Sequence, residues 1–300
     1  MQSCYASLPD SAPMDYRKLA SLIVMDKLLP MQAGSTSEGD GPRTMLLGIG
    51  GGQGAGKTTL AKLFASSLSH AGQRVCSLSL DDFYLTRSER LGLARDVHPL
   101  FETRGPPGTH DIARLSASID ALSFQADRAP SPQGGTLLKA PQLVSIPTFG
   151  KAEDDRIGAR TFEGPADWIL LEGWCVGARA LDRNSLSEPI NRLEEEQDPE
   201  GIWRSSYADF LERVYVPLWE RLDLTLFLRV PNLDAVYRWR HDQEKAHPKP
   251  LRWNAAKVAQ FVAYYERMTR AMWGQAPWPR QITVALGEEH EVIGLSGQSL

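Results

Sequence analysis

Residues 44 to 60 read Thr-Met-Leu-Leu-Gly-Ile-Gly-Gly-Gly-Gln-Gly-Ala-Gly-Lys-Thr-Thr-Leu. Within this stretch Gly51, Gly56, Lys57 and Thr58 stand at the spacing of a phosphate-binding loop, with four free positions between the two glycines. Glycine tolerates positive φ. The backbone N–H groups of Gly51, Gly52, Gln53, Gly54, Ala55, Gly56, Lys57, Thr58 and Thr59 can therefore turn toward one anion. Lys57 would then reach the β- and γ-phosphates of a nucleotide, and the Thr58 hydroxyl would complete a Mg²⁺ shell. At ordinary glycine usage a chain of this length matches the pattern by chance about one time in a hundred. The context also fits. Met45–Ile49 before the loop is an apolar, strand-like run, and Leu60, Leu63, Phe64 and Leu68 after it recur at helical spacing up to Gly72. Strand, loop and helix together imply a nucleoside triphosphate site.

The remaining chain is ordinary globular material. Its 300 residues, 42% hydrophobic and 23% charged, suit one large domain or a domain with an appended lobe. A net charge of −4 supplies no global field toward nucleic acid or anionic lipid, so neither is expected as a partner. Cys4, Cys76 and Cys175 are odd in number, scattered, and form no Cys-x-x-Cys pair, which argues for a reducing compartment. The apolar run Leu19–Leu29 is broken by Asp26 and Lys27, too short to span a bilayer, and lacks the marks of a signal peptide. A cytoplasmic location without membrane attachment is the expectation. Met14–Leu29 reads as a helix and Met31–Arg43 as a linker, which divides the chain into residues 1–43 and a catalytic domain of residues 44–300.

Further strands are expected at Arg74–Leu80, Trp168–Leu171, Asp223–Val230 and Gln281–Leu286. Residues 85 to 165 are less regular, with proline and glycine clusters at 105–108 and 130–135 around a helix at Asp111–Phe124. Two long apolar stripes mark helices. One runs from Tyr207 to Leu222, bent at Pro217; the other runs from Val258 to Met272, with Asn254 as N-cap and Gly274 as stop. Strands alternating with helices predict an α/β fold with a mainly parallel sheet and ligands at the strand C-terminal ends.

Four segments carry chemistry beside the loop. Asp81 and Asp82 follow the second strand, where one carboxylate could take the proton of an acceptor hydroxyl and another hold Mg²⁺. Glu172 ends an apolar strand, an arrangement that places a carboxylate on Mg²⁺ directly or through water. Thr103–Asp111 is a stiff turn in which Arg104 could clamp an anion, and His110 and Asp111 could bind hydroxyls; Asp111 could equally cap the next helix. Arg238 and Arg240, on a helix beyond the fourth strand, could fold over a triphosphate as a lid does. The tetrad Asn-Lys-x-Asp that selects guanine is absent, and Leu295-Ser296-Gly297-Gln298 matches a transporter signature only by coincidence.

The segments 51–59, 80–86 (Leu-Asp-Asp-Phe-Tyr-Leu-Thr), 97–111, 147–156 (Pro-Thr-Phe-Gly-Lys-Ala-Glu-Asp-Asp-Arg), 170–177 and 236–240 together resemble the D-glycerate 3-kinase family of plants, fungi and their bacterial relatives. The resemblance implies a P-loop fold similar to uridine kinase, pantothenate kinase and phosphoribulokinase, with a five-stranded sheet in order 2-3-1-4-5 and a helical lid. It also implies transfer of the γ-phosphate of ATP, with Mg²⁺, to the 3-hydroxyl of D-glycerate, a small hydroxy acid. The resemblance selects Asp81 as the catalytic base; from their spacing and position Lys57, Arg238 and Arg240 are expected to assist transfer and Thr58 and Glu172 to hold the metal. Asp82, Tyr84, Arg104, His110, Asp111, Lys151 and Arg156 form the substrate group. The match departs at Gly150, where bacterial relatives carry aspartate before the lysine. A kinase for pantothenate or a nucleoside is the alternative, and a regulatory ATPase a more distant one. Oligomeric state leaves no mark on the sequence.

Overall fold

The computed structural model describes residues 14–35, 43–124, 142–245 and 253–297. Strand β1 (Met45–Gly51) runs into the phosphate loop, and every one of its residues is buried. A parallel strand covered on both faces needs such an unbroken apolar run. Around it a six-stranded sheet takes the order β2 (Val75–Ser79), β5 (Trp168–Glu172), β1, β6 (Leu224–Arg229), β7 (Gln281–Leu286), β8 (Val292–Gly297). The first five strands are parallel and β8 is antiparallel to β7. Taken in chain order the parallel strands follow the expected 2-3-1-4-5. Two elements go beyond that expectation: the edge strand β8, and a separate hairpin of β3 (Gln142–Gly150) and β4 (Asp155–Gly164). Leu295–Gly297 lie in β8, so the signature-like residues there are edge strand.

Alternate residues of the central strands face two cores. Leu46, Ile169 and Leu171 join one, and Met45, Leu47, Ile49, Trp168 and Leu170 join the other. The second core is closed by α1 (Met14–Ile23), continued through a π turn at Val24–Leu28 into α2 (Leu29–Ser35). Its residues Tyr16, Leu19, Ile23, Val24 and Leu28 pack with Leu60, Leu63 and Phe64 of α3 (Lys57–His70). The helix thus runs past the point where a linker was expected to begin, because its apolar stripe finds a partner in α3. The remainder of that linker, residues 36–42, and the 130–135 cluster lie outside the described residues.

The first core is filled by α4 (Arg87–Asp96), α5 (Ile112–Leu122), α6 (Arg192–Gln197), α7 (Ile202–Phe210), α8 (Val216–Trp219) and part of α10 (Ala255–Gly274). A π turn, Leu211–Tyr215, joins α7 to α8 just ahead of Pro217. Proline has no N–H to continue the ladder, and Pro217 falls in the first turn of the short helix that follows the π turn. Helix α9 (Leu233–Lys245) follows β6, and Asn254 caps α10 by accepting from the Lys257 N–H at 2.9 Å. Among the described residues no helix is long and apolar enough to cross a membrane.

Candidate active site

A cavity of about 830 Å³ opens at the C-terminal edge of the parallel strands. Gln53, Gly54, Lys57 and Thr58 line it from the loop. Gly54 and Gly56 have φ of 78° and 81°, the left-handed region the sequence anticipated. Gly51, Gly52 and Ala55 are buried and carry the turn from below, while Gly56 and Thr59 lie behind the lining. Helix α3 starts at Lys57 with no side chain capping its first turn. Its opening amides are therefore free to receive an anion. Lys57 donates to the Gly52 carbonyl at 2.8 Å, and burial lowers its pKa against the opposing fields of Glu172 and Asp81. The buried side-chain amide of Gln53 has no partner among the described residues. A polyanion would satisfy both groups, so the loop fits the triphosphate that its sequence implies.

Register assembles the carboxylates. Ser79 at the end of β2 and Ile49 near the end of β1 are both paired to Glu172 at the end of β5, so the three strands bring their C-terminal parts together. Glu172 Oε1 accepts from Thr58 Oγ1 at 3.1 Å and from Ser79 Oγ at 2.8 Å. Ser79 was not singled out in the sequence; a serine ending a strand has no signature until its neighbour is known. Among the described residues no three His, Cys, Asp or Glu side chains cluster as a metal cage. A hydroxyl and one carboxylate beside a phosphate site are nevertheless the hard oxygen donors that Mg²⁺ takes together with phosphates.

Asp81 sits in the short 3₁₀ turn Leu80–Phe83 that follows β2. Its Oδ2 is 2.7 Å from Lys151 Nζ, and its Oδ1 accepts from the Tyr84 hydroxyl at 2.9 Å. Burial alone would raise its pKa. The charge and hydrogen bond of Lys151 and the bond from Tyr84 outweigh burial and hold the carboxyl below its ordinary value. Asp82 shifts the other way: burial raises it, against a bond at 3.4 Å from the Phe149 N–H. The paired aspartates are thus electrostatically distinct, one shifted below the ordinary carboxylate value and the other above it.

The β3–β4 hairpin delivers Phe149, Lys151 and Ala152 to the cavity, opposite Arg104. Arg104 pairs with Asp154 of the hairpin tip and stands 5.5 Å over the Phe149 ring. Asp154 also takes Arg90 at 2.8 Å, and its carboxyl is held low by the two guanidiniums despite burial. At Gly150 the space a side chain would fill is taken by the carboxylate of Glu153. A carboxylate therefore reaches this place from three residues further on. Trp174, Tyr265, Phe261 and Trp253 complete an aromatic wall that the sequence reading assigned to core packing or left unread.

Not all the sequence candidates share the cavity. Arg240 lines it, 4.9 Å over Trp253 and 5.0 Å over Phe261, paired to Glu244 at 2.5 Å. Arg238 does not; it pairs with Glu288 at the surface. Two residues apart on a helix lie roughly 200° around its axis, so one lid helix cannot aim both arginines inward. His110 and Asp111 are likewise one layer back. His110 is buried, stacked on Tyr84 at 4.5 Å, with Nδ1 2.8 Å from the Tyr215 hydroxyl. Burial lowers its pKa to about 3, so it is neutral. Asp111 caps α5 through the Arg114 N–H and binds Arg156 at 3.0 Å, so the capping alternative holds; Arg156 in turn donates to the Tyr84 carbonyl at 3.1 Å. These three support Tyr84 and through it Asp81.

No family model matches the chain. The uncharacterized kinase mug58 of Schizosaccharomyces pombe is 32% identical over 259 residues, 81% of this chain and 85% of that protein. The chloroplastic D-glycerate 3-kinase of Arabidopsis thaliana is 25% identical over 247 residues, 80% of this chain and 50% of the plant protein's length. Among solved structures, D-glycerate 3-kinase from Cryptococcus neoformans var. grubii superposes with a TM-score of 0.74 at 23% identity, covering 95% of this chain and 100% of that one. The YGR205w protein gives 0.72 at 19% identity, covering 95% and 98%. Both likenesses concern the fold. The sequence match shows that the chain belongs to the same kinase family as mug58, and the phosphate loop lining one cavity with Asp81 is the arrangement such a kinase needs.

Proposed function

We propose that this chain transfers the γ-phosphoryl group of ATP to the 3-hydroxyl of D-glycerate, giving 3-phosphoglycerate and ADP. The observation that carries the reading is Asp81, an anion in the same cavity as Lys57, paired to Lys151 and with Arg104 in the lining. Phosphoryl transfer to an alcohol needs a carboxylate at the acceptor hydroxyl, and a small carboxylate acceptor needs cations beside it. Relatives named D-glycerate 3-kinase support the choice of acid.

The loop amides and Lys57 hold the β- and γ-phosphates, and Thr58 with Glu172 would hold Mg²⁺, which supplies neutralising charge between the phosphates. The acceptor's carboxylate draws Lys151 and Arg104, which frees Asp81 Oδ2 for the hydroxyl. Tyr84 keeps Oδ1 in place. As the hydroxyl oxygen bonds to the γ-phosphorus, the bond to the β-phosphate oxygen breaks, and the hydroxyl proton passes to Asp81. Arg240 covers the site from α9 and, with the aromatic wall, keeps water from competing as acceptor.

ADP release measured with D-glycerate, other hydroxy acids, pantothenate and nucleosides tests the reading. D-glycerate should stimulate release most. Stronger stimulation by pantothenate or a nucleoside would overturn the acceptor, and release indifferent to every acceptor would overturn the transfer itself.

A further inference from the structure

Two peptide carbonyls of the phosphate loop are held from outside the loop by residues from opposite ends of the chain. The Tyr16 hydroxyl, on α1, donates to the Ala55 carbonyl at 2.6 Å in a buried bond. Its ring lies against the loop so closely that a Cβ on Gly56 would sit 2.6 Å from Tyr16 Cε2. His290, in the turn between β7 and β8, lies 2.9 Å through Nε2 from the Gly54 carbonyl. A carbonyl only accepts, so Nε2 carries the proton. The imidazole stacks on Trp239 of α9 at 4.0 Å with the planes 25° apart, and Trp239 Nε1 donates to the Glu288 carbonyl at 2.9 Å. His290 holds φ at 65°, a costly conformation for a side-chain-bearing residue that the surrounding contacts must sustain.

We propose that Tyr16 and His290 are positioning residues for the nucleotide: they pin the Ala55 and Gly54 carbonyls so that the loop stands in its phosphate-binding shape before ligand arrives. A peptide unit is rigid and trans, so its C=O and the following N–H point opposite ways. Holding the Ala55 oxygen back against α1 directs the Gly56 N–H away from α1. Holding the Gly54 oxygen fixes the Ala55 N–H, which rests 3.3 Å from the Gly52 carbonyl, itself the acceptor for Lys57. Gly54 and Gly56, both at positive φ, make this segment soft on its own. Without the pins the loop would have to lose that freedom at the moment of binding, at the expense of affinity. The helix before the nucleotide-binding strand thereby gains a role at the site, and the antiparallel edge strand gains one through its turn.

The inference rests on the nucleotide half of the function proposed above and is independent of the acceptor. Calorimetric titration of the full chain with Mg²⁺ and a non-hydrolysable ATP analogue tests it. Tyr16→Phe keeps the ring and removes only the donor; His290→Ala removes the other pin. Each should weaken binding about tenfold, the worth of one hydrogen bond, and the double variant about a hundredfold. His290→Gln, with an amide donor in reach, should recover part of the loss. The KM for the acceptor should stay at the wild-type value, and hydrogen exchange of amides 52–56 in the free protein should quicken. Wild-type affinity in both single variants, with or without a lowered melting temperature, would overturn the brace alone. No binding by the wild-type chain would overturn the nucleotide reading and the brace with it.

Discussion

Replacing Asp81 by asparagine separates chemistry from architecture, because the structure bounds each cost. The lost ion pair is with Lys151, whose side chain is 65% exposed, so its contribution to stability is about 1 kcal/mol at most. The Tyr84 bond to Oδ1 survives in the amide. The melting temperature should therefore fall by no more than about 2–4 °C. The proposed ATP contacts lie on the loop, and removing a negative charge from the cavity lessens its repulsion of the phosphates, so the nucleotide Kd should stay unchanged or tighten. Turnover should behave differently. Loss of a positioned general base lowers kcat by about 10²- to 10⁴-fold, roughly 3–5 kcal/mol of barrier, well beyond any effect of stability. Single-turnover ADP formation at saturating nucleotide, with calorimetry on the same sample, makes the comparison. The carboxyl is held below its ordinary value, so wild-type kcat/KM should also stay flat as pH falls from 8 to about 5. Turnover of Asp81→Asn within tenfold of wild type would refute the assignment, and an equal loss in Asp82→Asn would move the role to its neighbour.

Two more outcomes follow from groups the sequence placed in the site and the structure moved. His110 has a folded value of about 3, so the unfolded chain takes up a proton between the ordinary histidine value and about 3 that the native state refuses. Its contribution to stability is complete above pH 6.5 and is lost as pH falls, by up to roughly 1.4 kcal/mol per unit; urea melts at pH 7 and 5 should show a shallower loss in His110→Gln than in wild type, and equal slopes would refute the buried neutral ring. Arg238, half exposed and paired to Glu288, can become alanine with kcat within about twofold of wild type, while Arg240→Ala should cost about tenfold or more in kcat. Steady-state kinetics on both distinguish them, and the reverse order would return the lid role to Arg238.

The legible part of the fold was what short-range pattern encodes. The phosphate loop needs its glycines and lysine consecutive, and each parallel strand reads as an apolar run because both its faces are covered. The hairpin was missed for the converse reason. Most of β4 faces solvent, and β3 carries Pro147 with a register shift at Thr148/Phe149, so neither strand shows clean alternation. Strand β8 escaped for the same cause, being an exposed edge.

Sequence alone placed a phosphate-type loop between β1 and α3, carboxylates just after β2 and at the end of β5, and the residue types that surround them, since these are properties of consecutive residues. Tertiary structure decided which of those groups meet. It set Ser79 on Glu172 by strand register and Thr58 on it from α3, and shifted the carboxyl of Asp81 down and that of Asp82 up by the approach of Lys151 and by burial. It turned Arg240 inward and Arg238 out by the pitch of one helix, and brought Tyr16 and His290 to the same loop from 39 and 236 residues away. Charge, burial and reach depend on distances through space, and a linear order of residues does not contain them until the chain has closed on itself.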